Sequence, residues 1–125
     1  MMSVIYWIVS FVLLGVCSFL AIGKPMESGT WEGFVSFGAN MSDFRPCGSR
    51  DIWWLKGKRY TDIADEMRRR YSELVDQPYE RVYARLKGKI SKTKGQFGPL
   101  GTYDRVFYVS EILEMRAKQE GDCEE

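Results

Sequence analysis

The sequence contains no histidine among its 125 residues. Histidine is the usual base of Ser-His and Cys-His nucleophile pairs and the commonest zinc ligand, so its absence removes those classes of active site. The glycine-rich segment 94–101 also lacks the Gly-Lys-Ser/Thr element of a phosphate-binding loop. We therefore predict that the chain is not an enzyme, and we identify no catalytic residue, cofactor, metal site or small-molecule substrate.

Charge is absent from residues 4–23, and every Lys, Arg, Asp and Glu of the chain follows them. Twenty apolar residues make a helix about 30 Å long, which is enough to cross a bilayer. This segment, with residues 1–3, can be a signal peptide cleaved after Gly23 or a retained membrane anchor. A third alternative is a lipoprotein acylated at Cys17, because Leu14-Gly15-Val16-Cys17 resembles a lipobox, although Val16 stands where a small residue is usual.

Each alternative predicts that residues 24–125 lie outside the cytosol. We expect the protein in the cell envelope, either anchored in the membrane through residues 4–23 or released as a periplasmic or secreted domain.

Cysteine is scarce, with three residues in the chain. Cys17 lies in the apolar segment, so the exported part contains Cys47 and Cys123. In an oxidising compartment a disulfide between these two is the natural pairing, and it would tie the end of the chain to the domain. Two independent thiols are the alternative.

The rest of the chain is rich in aromatic side chains and has the length of one domain, which predicts a folded body. We predict a linker at residues 24–29, a folded domain at 30–116 and an acidic, frayed tail at 117–125. Basic residues are concentrated within 45–94, which contain fourteen Lys and Arg but seven Asp and Glu.

The hydrophobic pattern predicts a mainly β fold with one helix. Residues 62–75 carry an apolar stripe at helical spacing, and residues 80–92 alternate apolar and basic side chains with the period of a strand. The order β-β-β-α-β-β is that of the OB fold, a small Greek-key barrel, here preceded by an N-terminal hydrophobic helix. An open sheet would leave exposed edges, so the barrel is preferred. The other strands are expected at 30–37, 42–47, 51–56 and 104–115, the last with a bulge near Ser110.

A local signature runs through the second and third predicted strands: Phe44-Arg45-Pro46-Cys47-Gly48, followed by Asp51-Ile52-Trp53-Trp54-Leu55. With the helix, the strand Val82 to Gly88 and the later Gly98-Pro99-Leu100-Gly101, this layout resembles the small exported bacterial OB-like domains typified by the C-terminal domain of the envelope lipoprotein NlpE. The resemblance covers most of residues 30–116 and implies an OB-like barrel. The Cys-Gly spacing departs from the NlpE pattern, and the copper-linked half of that protein has no counterpart here, so signalling and metal roles are not implied.

The candidate binding face combines aromatic and basic side chains. Trp53 and Trp54 point to opposite faces of one strand, so one is expected in the core and the other on the surface as a stacking platform, although both can be structural. The outward side of the fourth strand adds Tyr83, Arg85, Lys87 and Lys89.

From these observations we predict a non-enzymatic interaction module of the cell envelope whose partner is a protein or another envelope component. The alternative is oligonucleotide or polyanion binding through the basic face. A net charge of +1 and the export segment argue against nucleic acid.

Overall fold

The structure, a computed structural model, describes residues 25–124. Within them the chain forms a mainly β fold with five strands and one α-helix, so the predicted class and order of elements are confirmed. The predicted hydrophobic helix, with Cys17, lies outside the described residues. The elements are β1 Met26–Gly38, β2 Met41–Pro46, β3 Trp53–Gly57, α1 Ile63–Leu74, β4 Val82–Ser91 and β5 Arg105–Ala117, followed by a short 3-10 helix, Asp122–Glu124.

Among residues 25–124, no helix has both the length and the apolar composition needed to cross a membrane.

The strands pair in the order β1-β2-β3-β5-β4, and β4 also pairs with β1, so that each strand has two neighbours. All pairs are antiparallel except β3 with β5, which run parallel because the connection through α1 and β4 reverses the chain twice. The pairings close into a ring, so no strand has one side wholly unpaired, which limits edge-to-edge association.

The core is formed by the inward side chains of all five strands and by one face of α1. Phe44, Trp53 and Phe107 pack against one another at its centre with ring centroids 5.1–5.7 Å apart, and Phe107 meets both other rings edge-on. Helix α1 contributes Met67 and Tyr71, which are its two buried side chains. The remaining members of the core are Val35, Phe37, Leu55, Val82, Ala84, Leu86, Ile90 and Val109.

The first strand begins earlier than the sequence suggests. Residues 26–29 were predicted as a linker because of their Ser and Gly content, but they extend β1 and pair with β4 from Met26 opposite Ser91 to Gly29 opposite Gly88. The absence of a side chain at Gly29 leaves room for the Trp31 ring, because an added Cβ would lie 2.9 Å from it. The predicted linker is therefore wrong, and the pairing with β4 is what orders it.

The last strand carries the bulge expected near Ser110. Its pairing with β4 shifts between Lys87 and Gly88, where Ser110 has no partner, and again between Arg85 and Leu86. The Ser110 hydroxyl donates a hydrogen bond to the Lys87 carbonyl at 3.1 Å, so the bulged residue still contacts β4.

The acidic tail is not frayed. Cys123 is joined to Cys47 in a disulfide, with 5.0 Å between their Cα atoms. Asp122 accepts two hydrogen bonds from the Arg116 guanidinium, at 2.8 and 3.0 Å. These contacts hold residues 116–124 against the barrel. The polar composition of the segment favours fraying, but the bidentate ion pair and the covalent link stabilise the ordered state.

Candidate functional site

A cleft lies on the outer side of β2 and β3, and we call it the β2–β3 cleft. It has a volume of about 750 Å³ and opens between the β1–β2 turn and the loop that precedes β5. Its rim is apolar and its floor is polar. Its lining includes Asn40, Met41, Ser42, Asp43, Ile52, Trp54, Arg68, Pro99, Leu100 and Tyr103.

The floor of the cleft is a hydrogen-bonded network around Tyr103. The Tyr103 hydroxyl donates to the Asp43 carboxylate at 2.5 Å and accepts from the backbone N–H of Ser42 at 3.2 Å. The Ser42 hydroxyl donates to the Leu55 carbonyl at 3.1 Å and accepts from Arg68 at 3.4 Å. All of these groups are thus fixed before any ligand arrives, which lowers the entropy cost of binding.

The Tyr103 phenol on the floor is a weaker acid than an ordinary tyrosine. Burial and the hydrogen bond to Asp43 together raise the pKa of Tyr103 to about 12. The phenol therefore stays protonated at neutral pH, and the Ser42 hydroxyl faces no free base. The network can orient and hydrogen-bond a ligand, but it offers no activated nucleophile.

One wall of the cleft is aromatic. Trp54 stacks nearly parallel to Tyr103, with an interplanar angle of 14° and 6.5 Å between ring centroids. The Lys56 ammonium lies 4.4 Å above the Trp54 ring. This pair forms because Trp54 is the outward residue of β3, and Gly98 leaves room for the Tyr103 ring, where a Cβ would come within 2.5 Å.

The rim of the cleft carries an exposed aliphatic side chain. Leu100 is 85% exposed and lies in a tight turn in which the N–H of Gly101 donates to the Gly98 carbonyl. Gly98 and Gly101 both have positive φ, at 86° and 66°, a conformation that glycine adopts without strain. The turn thus holds Leu100 out into solvent beside the aromatic wall.

The predicted binding face is divided by the structure. Trp53 is 5% exposed and belongs to the core, so it is not a binding residue. Trp54 is half-buried and lines the cleft, as the alternation of the strand requires. The split between the two tryptophans follows the prediction that one would be internal.

Tyr83 is also covered, although it points outward from β4. Its hydroxyl donates to Glu32 at 2.5 Å, a bond that together with burial raises the pKa of Tyr83 to about 12. The Arg116 guanidinium lies 4.2 Å from its ring. Arg116, the cross-strand neighbour of Tyr83 on β5, therefore covers this end of the face, and Tyr83 is removed from the candidate site.

The basic side chains of β4 lead to a second concave surface. Arg85 lies 3.9 Å from Glu114, whereas Lys87 and Lys89 open into a groove of about 480 Å³. Lys58 and Arg59 from the turn after β3 enter the same groove from the other side. We call this surface, lined by Lys58, Arg59, Lys87 and Lys89, the cationic groove.

Sequence reasoning missed Asp43 and Tyr103, the centre of the cleft floor. Asp43 offered a signal, because aspartate is depleted in strands and stands here within β2 beside the apolar Phe44. Tyr103 offered none, since its partner is 60 residues away along the chain. Among residues 25–124, no group of three or more His, Cys, Asp or Glu side chains is arranged to hold a metal ion.

Comparison with protein-family models, with curated proteins and with solved structures finds no match to this chain.

Proposed function

We propose that this chain is a non-enzymatic binding module of the cell envelope, tethered by residues 4–23, that grips a segment of a partner protein in the β2–β3 cleft. The fold we assign to it is an OB-like Greek-key barrel, in line with the resemblance to the NlpE-type domains. In support, α1 lies between β3 and β4, and the strands pair in a closed ring. OB barrels bind ligands on the faces of strands 2 and 3, between the loops that join strands 1 to 2 and 4 to 5.

The position of the cleft carries the proposal. It lies on β2 and β3 between those two loops, and its floor is satisfied and rigid. A protein segment suits it because exposed Leu100 and Pro99 and half-buried Trp54 offer apolar contact surface, and tryptophan is among the residue types that dominate binding hot spots. The floor lacks an activated nucleophile, which favours binding over catalysis.

Site-specific photo-crosslinking in cells that make the protein tests this proposal. A photoreactive phenylalanine analogue placed at Leu100 is expected to trap a defined adduct of higher mass, and Trp54→Ala in the same chain is expected to abolish it. The same analogue at Glu120, exposed and outside the cleft lining, is the matched control. Equal adducts from both positions, or an adduct at Leu100 that survives Trp54→Ala, would contradict the proposal.

Oligonucleotide binding is a second candidate, favoured by one observation. The Lys56 ammonium lies between two rings, 4.4 Å from Trp54 and 6.0 Å from Tyr108, and Tyr108 pairs with Lys89 on the neighbouring strand. Such a stripe of rings and cations can stack bases and bind phosphates. This function predicts an affinity for single-stranded oligonucleotides that falls steeply as salt rises.

A further inference from the structure

The cationic groove concentrates positive charge, and the nearest cross-strand carboxylate, Glu111 opposite Lys87, neither lines the groove nor forms an ion pair with it. Lys58, Arg59, Lys87 and Lys89 line it together with Tyr108, and its lining includes no Asp or Glu. Among residues 25–124, none of the four cations forms an ion pair with a carboxylate. Four cations held on two elements of a rigid barrel repel one another, so an anion in the groove is favoured.

The groove adjoins the point where the chain comes from the apolar segment. Met26, Ser28 and Gly29 line it, and residues 4–23 end three positions before Met26. Three extended residues reach at most about 10 Å. A bilayer crossed by residues 4–23 would therefore place its headgroups within roughly one Debye length of Met26, which lines the same groove as these cations.

We propose that the cationic groove binds the phosphates of anionic lipid headgroups at the surface of the membrane that holds residues 4–23. The tether keeps the groove at a high local concentration of headgroups, so each contact forms without a separate diffusional step. Tyr108 and Met26 add the aromatic and apolar surface that suits a membrane interface. This inference rests on the proposed tether and is independent of the partner in the β2–β3 cleft.

Lysine footprinting of the full-length chain tests the proposal. The protein is reconstituted into nanodiscs of phosphatidylcholine alone, or of phosphatidylcholine with phosphatidylglycerol, then acetylated briefly and analysed by mass spectrometry. We expect Lys58, Lys87 and Lys89 to react several-fold more slowly in the anionic discs, and high salt to remove the difference. Lys94, which bonds to Asp51 at 2.8 Å outside the groove, is the internal reference and should react equally in both.

A pair of variants separates the groove from total charge. Lys87→Gln with Lys89→Gln is expected to bring the labelling of Lys58 in anionic discs back to its rate in neutral discs. Arg50→Gln with Arg69→Gln removes the same charge from exposed positions outside the groove and should leave the protection unchanged. Each cation near an anionic surface contributes about a fivefold change in binding, so two should give about a 25-fold loss.

Three results would overturn the inference. Equal labelling of the groove lysines in both discs would remove the lipid site while leaving the tether intact. A chain that enters neither disc would remove the tether and the lipid site together. Protection by a single-stranded oligonucleotide in neutral discs, with none from anionic lipid, would assign the groove to nucleic acid instead.

Discussion

Tyr103 links the stability of the barrel to the shape of the cleft. Its ring stacks on Trp54, and its hydroxyl joins Asp43 to the backbone of Ser42. The phenol thus connects the loop before β5 to β2 across the cleft floor. A residue with both an apolar body and a hydrogen-bonding tip suits this position, because it packs and satisfies a buried carboxylate at once.

The raised pKa of Tyr103 predicts a specific loss of stability at alkaline pH. An ordinary tyrosine has a pKa near 10, and in the folded chain that of Tyr103 is about 12. The fold holds this proton more tightly than the unfolded chain, so its contribution is complete below about pH 10 and is lost as the pH rises towards 12. We expect the free energy of unfolding, measured by urea denaturation, to fall less steeply across this range in Tyr103→Phe than in the wild type.

Tyr83 has a raised pKa for a related reason, so part of the alkaline loss should remain in the Tyr103→Phe variant. Tyr60→Phe is the matched control, because Tyr60 is fully exposed and should leave the slope unchanged. An identical slope in wild type and Tyr103→Phe would show that Tyr103 does not hold its proton as described.

At the scale of elements, the contact between β4 and β5 decides which side chains reach the cationic groove. The alternation of β4 places Lys87 and Lys89 outward, and Gly88 between them allows the backbone of β5 to approach. A Cβ at Gly88 would lie 2.1 Å from the Tyr108 carbonyl oxygen, a rigid backbone atom. Glycine is required here by close approach rather than by its backbone angles.

Gly88→Ala is therefore expected to destabilise the protein by about 1–3 kcal/mol, because the two strands must move apart to admit the methyl group. Urea denaturation measures the loss. Gly95→Ala is the control, since its Cβ would meet the flexible Phe97 side chain at 3.0 Å. Equal stability of the two variants would mean that the β4–β5 contact is looser than the structure shows.

At the same scale, the pattern of the sequence predicted α1 and β4 well. The helix was expected at 62–75 and spans Ile63–Leu74, and the buried Met67 and Tyr71 belong to the predicted stripe. The residues before the helix do not cap it, because Asp62 makes no side-chain cap and Thr61 donates instead to the Lys58 carbonyl. Periodicity reports burial over many residues, whereas a cap depends on one rotamer.

At the scale of the whole molecule, the disulfide closes a loop that contains most of the described residues. Cys47 lies after β2 and Cys123 in the final 3-10 helix, 76 positions apart. The tail that it holds places Lys118 over the Phe34 ring, and Asp122 of the tail bonds to Arg116 of β5, which lies over Tyr83. The disulfide thus lowers the conformational entropy of the unfolded domain. It also holds the tail against one end of β1 and β4.

Removing this link is expected to lower the free energy of unfolding by about 2–5 kcal/mol. Cys47→Ser with Cys123→Ser should reproduce the stability of the wild type under reducing conditions, as measured by urea denaturation with and without reductant. The double variant should not respond to reductant. A wild type whose stability is the same in both conditions would contradict a structural role for the bond.

The sequence by itself determined the elements: their order, the helix, the alternating β4 and the inward and outward tryptophans of β3. Each of these properties depends on the periodicity of neighbouring residues, which the sequence shows directly. The tertiary structure decided everything that depends on distant pairs. It extended β1 by pairing it with β4, joined Asp43 to Tyr103, placed Lys118 of the tail on Phe34, and brought Lys58 and Arg59 to Lys87 and Lys89. Those contacts form because the strands pair into a ring. Local composition does not indicate which distant residue will become a spatial neighbour.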